Sequence, residues 1–256
     1  MEVFLRNRHC RRRIRLLTAE SMRFLLLMVV VWLTSVCAVA QETRCDAPAG
    51  APMHLPHMAA NASPINILAI GSASLVGPAD AQPSSLPVLL AERLRAALPH
   101  RVVTLRIEWH RGELAGAMLP ALRGALAPGG VTLVLWQTGT VEAIHRTPPA
   151  AFRAALADGT QIIHKAGADA ILISPLYSRR MAEQVDARPY RAALLEVARA
   201  QGAAVFDRSE LMRGWAEAGS LDLDATHRRD RQTTMARVNA CLASALARGV
   251  LGSIAP

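Results

Sequence analysis

The chain has 256 residues, of which 52% are apolar, 19% charged and 4% aromatic, with a formal net charge of +9 at pH 7. That length and apolar content support one domain with a sizeable core and room for an appendage. The basic residues are almost all arginines, scattered and with few aromatics between them, which excludes a nucleic-acid-binding footprint.

The N-terminus accounts for part of the charge and of the hydrophobicity. Seven arginines and two glutamates lie in residues 1–40, so the net charge beyond Ala40 is +4. Arginines at 6, 8, 11, 12, 13, 15 and 23 precede and enter the apolar stretch "MRFLLLMVVVWLTSVCAVA", which ends in Ala38-Val39-Ala40. A basic region, an apolar region and a small-x-small site in that order predict a secretory signal peptide cleaved after Ala40 and a periplasmic or secreted protein. An uncleaved anchor is the alternative, and it is the only membrane association expected. Either Met1 or Met22 serves as the start. Residues 41–64 are rich in Pro and Ala without periodicity and read as an arm. His54 and His57 within it have no carboxylates or cysteines beside them, so no metal site is expected. Beyond residue 40 only Cys45 and Cys241 remain, compatible with a disulfide in an oxidising compartment or with two free thiols.

From Ile65 a rhythm begins. Short apolar runs fall at 65–70, 101–107, 131–136, 168–174 and 203–206. Segments of helical period separate them at 83–98, 113–126, 148–166 and 187–201, and two more follow at 209–218 and 229–248. The apolar runs are nearly continuous rather than alternating, as burial on both faces of a parallel sheet requires. The expected architecture is an α/β three-layer sandwich over residues 65–248, with a five-stranded parallel sheet of order 2-1-3-4-5 and a tail at 249–256. Sites in such sheets lie at the C-terminal strand ends where the strand order reverses, here strands one and three.

Those ends carry Gly71-Ser72-Ala73-Ser74 after strand one, "EWHRGELAG" with Gly112 after strand two, and "LWQTGTVEA" with Gly139 after strand three. Just before the last helix stands "DLDATHRRD", where Asp224 and His227 are three apart. In such a pair the carboxylate can accept from one imidazole nitrogen and leave the other free as a base.

Together these blocks resemble the SGNH (GDSL-like) hydrolase superfamily, of secreted bacterial type, over roughly residues 65–248. "ILAIGSAS" matches the strand and Gly-Asp-Ser block, Gly112 in "HRGELAGAML" the glycine that donates to the oxyanion, "VLWQTGTVEA" the Gly-x-Asn-Asp block, and Asp224 with His227 the Asp-x-x-His block. The resemblance implies the flavodoxin-like SGNH fold and ester chemistry that needs no cofactor and no metal. It also exposes two departures. The nucleophile position is occupied by Ala73, and the oxyanion-binding asparagine by Val141, followed by Glu142.

Deleting a serine nucleophile costs about 10⁶ in turnover, and losing an oxyanion donor roughly 10²–10³. The expected protein is therefore a catalytically impaired or pseudoenzyme relative of ester hydrolases that acts on or binds an acylated carbohydrate or lipid. The alternative is an active esterase in which Ser72 or Ser74 works with His227 as base, Asp224 as its orienter and Gly112 as oxyanion donor. Gly71, Gly139 and Glu142 would line the pocket, and a third option couples Glu142 with His227 in a different reaction. Against these stand plainer roles: Ser72 and Ser74 as helix caps or turn residues, Gly112 as a turn glycine, and Trp136 and Gln137 as residues that pack and hydrogen-bond at the strand end.

Overall fold

The computed structural model describes residues 53–60, 64–77, 83–224 and 227–254, all within the unit Cys45–Pro256. The expected signal segment, its cleavage site and Cys45 lie outside the described residues. The strands are β1 (Ile65–Gly71), β2 (Val103–Trp109), β3 (Leu133–Gln137), β4 (Asp169–Ile173) and β5 (Ala204–Phe206). They pair in parallel in the order β2-β1-β3-β4-β5. The register aligns Trp109, Gly71, Gln137, Ile173 and Phe206 in one row, so the C-terminal ends of the strands form a single rim.

The helices, in chain order, are α1 (Pro56–Ala60), α2 (Ala73–Val76), α3 (Leu86–Ala97), α4 (Ala115–Leu126), α5 (Thr140–His145), α6 (Pro149–Lys165), α7 (Arg179–Gln184), α8 (Arg188–Gln201), α9 (Arg208–Glu217) and α10 (Arg228–Ile254). Successive strand residues point to opposite faces. Ile65, Ile67, Ala69, Leu133, Leu135, Ile171 and Ile173 pack into one buried cluster with α3, α9 and α10. Leu68, Ile70, Val134, Trp136, Ala170 and Leu172 pack into the other with α4, α6 and α8. Both faces are covered, which is why the central strands read as unbroken apolar runs. The edge strand β2 is the exception. It begins two residues later than the apolar run suggests, only Val103 is fully buried, and Arg106 and Glu108 form an ion pair of 3.6 Å on it.

Three short helices, α2, α5 and α7, have no counterpart in the sequence periodicity, because four to six residues are too few to show one. The last helix runs past Arg248 to Ile254, with Val250 buried. The segment read as an arm is folded where it is described: Leu55 and Met58 are buried. The backbone N–H groups of His57 and Met58 donate to Asp169 at 3.2 and 2.8 Å, at the N-terminal edge of β4. Cys241 is buried in α10 and disulfide-bonded. Among the described residues no helix is long and apolar enough to cross a membrane, and no cluster of His, Cys, Asp and Glu is arranged to hold a metal.

Gly159 shows how closely the second core is fitted. A Cβ built there would lie 2.2 Å from the ring of the fully buried Trp136. Alanine is favoured over glycine in a helix by about 1 kcal/mol, but overpacking of this kind costs about 1–3 kcal/mol. Gly159→Ala should therefore lower stability in denaturant titration; an unchanged or raised midpoint would contradict the packing described.

Candidate active site

The ends of β1 and β3 meet at the rim, and Gly71 makes their approach possible. A Cβ on Gly71 would stand 2.9 Å from the Gln137 carbonyl oxygen and 3.0 Å from Gln137 Oε1. With hydrogen in that place, the Gln137 side chain lies against the end of β1. Its Oε1 accepts from the backbone N–H of Ser72 and from Ser72 Oγ, both at 3.2 Å. The backbone donor fixes which end of the amide is the carbonyl. Gln137 Nε2 is then a buried donor with no acceptor among the described residues, a situation that costs about 1–3 kcal/mol unless something accepts from it.

Ser72 occupies the N-cap position of α2, yet its hydroxyl makes no capping bond; it is 3% exposed and donates to Gln137 instead. Ser74 Oγ lies 3.4 Å from Ser72 Oγ and accepts from Arg208 Nη2 at 3.2 Å. Arg208 opens α9 directly after β5 and is 2% exposed. Its Nη1 donates to the Ser74 carbonyl at 3.1 Å and its Nε to the Ser174 carbonyl at 2.8 Å. No carboxylate pairs with Arg208 among the described residues: neighbouring Asp207 is taken by Arg191 and by Ser174 Oγ. Burial of this unpaired cation pushes its pKa down to about 9, which leaves it charged at neutral pH.

The directions of these bonds decide what the serines can do. A nucleophilic hydroxyl must donate to a base within about 3 Å. Ser72 donates to an amide carbonyl, which is no base, and the Ser74 oxygen accepts from a cation, which withdraws electron density from it. Between them Ala73 presents a methyl group.

His227, the expected base, is exposed. The bond expected from its ring to Asp224 is absent among the described residues. Asp224 Oδ1 instead accepts from the Arg180 N–H in the first turn of α7 at 3.1 Å, and the Asp224 N–H donates to Asp222 at 3.1 Å. The helix terminus has an unsatisfied donor, and the carboxylate supplies its acceptor. Gly112 is exposed in the turn after β2, with φ +72, and a Cβ placed on it would meet nothing within 4 Å; the turn needs its left-handed backbone. His110, two residues earlier, pairs with Glu113 at 3.0 Å.

The block after β3 is likewise turned inward. Gly139 (φ +90) starts α5, with room for no Cβ against Pro175 Cγ at 2.8 Å. Val141 is buried. Glu142, 1% exposed, accepts from the backbone N–H groups of Ala115 at 2.5 Å and Gly139 at 2.8 Å and from Thr138 Oγ1 at 3.2 Å. Its carboxylate thus joins the starts of α4 and α5 instead of facing solvent.

Arg208, central to this cluster, escapes the sequence reading, whereas Gln137 stands at the strand end as the packing and hydrogen-bonding residue expected there. Arg208 reads as one of many arginines, although its place immediately after a buried strand, on the site-bearing rim, is a usable signal.

A five-stranded parallel sheet in this order, flanked by helices and carrying these blocks at its rim, defines the chain as having the α/β fold of the SGNH/GDSL hydrolases. More narrowly, it belongs to the non-GDSL lipase-like family, whose model matches residues 36–256. Among solved structures it is similar to an acetyl-xylooligosaccharide esterase from Geobacillus stearmophilus (14% identity, TM-score 0.58, covering 76% of this chain and 95% of that one). It is also similar to the psychrotrophic esterase EstA from Pseudoalteromonas sp. (16%, TM-score 0.53, 71% and 96%). A third is the lipase/acylhydrolase from Enterococcus faecalis (20%, TM-score 0.52, 70% and 96%). At these identities the likeness concerns the fold. No curated protein matches the chain.

Proposed function

We propose that this chain is an exported, catalytically impaired relative of the SGNH ester hydrolases that binds an acylated carbohydrate or lipid without cleaving it. The observation that carries the reading is the methyl group of Ala73 at the nucleophile position, between two serines whose hydroxyls face Gln137 and Arg208. The Val141 side chain has no donor for an oxyanion, so both chemical losses fall on the same step. Export rests on the basic and apolar N-terminal segment with its Ala38-Val39-Ala40 site. Partner ligands of this kind suit the esterases and lipases that share the fold.

The test offers the protein acetylated xylo-oligosaccharides and, separately, phospholipid micelles. Binding is followed by calorimetry and released acid by chromatography. Saturable binding with the ligand recovered intact is expected. Acyl release that disappears in His227→Ala would overturn the reading in favour of an active esterase using Ser72 or Ser74 with His227 and Asp224.

A further inference from the structure

We infer that the cluster of Ser72, Ser74, Gln137 and Arg208 at the end of β1 is a receptor for a carboxylate group, so that an acylated ligand is held most tightly when it carries a free acid beside its ester. The inference rests on the reading of this site as one that binds without turnover, and it names the chemistry bound.

Two independent features point to an anion. Arg208 is a buried guanidinium without a carboxylate partner among the described residues. A guanidinium has five N–H groups, and three of its bonds are to Ser174 O, Ser74 O and Ser74 Oγ, which leaves two N–H groups to be satisfied. Gln137 Nε2, fully buried on the other side of Ser72, also lacks an acceptor among the described residues. The cluster is rich in donors and holds no negative charge of its own. Its hydrogen bonds are polarised in one direction, from Arg208 to Ser74 and from Ser72 to Gln137 Oε1. The Ser74 hydroxyl hydrogen is free to point to Ser72 or outward to a ligand.

Ala73 and Ser74 are only partly buried, whereas Ser72, Gln137 and Arg208 are buried, so a ligand would reach the cluster past Ala73 and Ser74. One cation matches one carboxylate in charge, and the planar, two-oxygen group suits donors arriving from different sides. An ester carbonyl brings no charge to offset the buried guanidinium, so the same site should discriminate against it. The carboxylate can come from a fatty acid or from a uronic acid residue of a glycan.

The experiment uses the whole protein and measures binding of sodium octanoate, sodium glucuronate and the methyl ester of each by calorimetry at pH 7. At least one carboxylate should bind saturably, and at least tenfold more tightly than its own ester; which acid binds separates lipid from glycan. Ser74→Ala should weaken carboxylate binding severalfold and Arg208→Gln at least tenfold. If Arg208→Gln fails to fold, Ser74→Ala and Gln137→Leu carry the test, each expected to narrow the preference for acid over ester. Equal binding of acid and ester, variants that bind carboxylate as well as the wild type, or no carboxylate binding at all because water fills the cluster, would each overturn the inference. Those results leave the proposed function standing if acylated ligands still bind intact. Acyl release would remove the proposed function itself.

Discussion

Incubated with a fluorophosphonate probe, the intact protein should leave both Ser72 and Ser74 unlabelled, and an ester reporter should turn over no faster than in buffer. Phosphonates report a hydroxyl that an adjacent base has activated. Ser72 gives its hydrogen to Gln137 Oε1, and Ser74 receives one from the Arg208 guanidinium. His227 is exposed and Asp224 is engaged with the Arg180 N–H. With the family nucleophile placed at Ala73, as the proposed function has it, the loss is about 10⁶ in turnover, far more than either flanking serine could recover without a base. Mass spectrometry of the treated protein locates any adduct. Labelling of Ser72 or Ser74 that vanishes in His227→Ala would show that the strand-end turn rearranges to bring base and hydroxyl together, and would reverse the expectation.

The second large effect is on stability. Glu142→Ala should destabilise the protein by about 3–5 kcal/mol, because it strands three buried donors at about 1–3 kcal/mol each, with incomplete additivity. Those donors are the N–H groups of Ala115 and Gly139 and the Thr138 hydroxyl. Glu142→Gln keeps one acceptor oxygen but turns an NH₂ group toward a donor, so its loss should be smaller. Denaturant titration with a fluorescence readout checks both. A loss within about 0.5 kcal/mol for Glu142→Ala, the range of ordinary surface substitutions, would mean that the carboxylate is not committed to the helix starts. It would then reopen the option that Glu142 works with His227. A large loss, in contrast, assigns Glu142 to the fold: its carboxylate binds the block after β3 to α4, and three of its about four lone-pair sites are taken by those donors.

These two residue sets differ in how far the sequence alone reveals them. The five strands follow from the continuous apolar runs, since only a sheet covered on both faces buries every residue of a strand, as in Leu133–Gln137, while their order is that of a common doubly wound topology. The edge strand β2 departs from that rule because one of its sides has no neighbour, so Thr104, Arg106 and Glu108 are tolerated there. The short helices α2, α5 and α7 leave no periodic trace, although each positions a residue of the site: Ala73, Val141 and the Arg180 N–H that holds Asp224.

The absence of a hydroxyl at Ala73 and of an amide at Val141 was legible in the sequence alone, where the resemblance of the two blocks gives those positions their weight. So too was the family, whose blocks are short and follow strand ends in order. What only the tertiary structure decided is the partnership of side chains distant in the chain. Arg208 lies 134 positions from Ser74 and 34 from Ser174, yet it bonds to both. Glu142 reaches back 27 positions to Ala115, and Asp224 turns to Arg180. A hydrogen bond has a range of about 3 Å and a required direction, and nothing in a linear order of residues encodes either. Whether a carboxylate serves a base or caps a helix, and whether an arginine is solvated or buried unpaired, is settled by which donors and acceptors the folded chain brings within that distance.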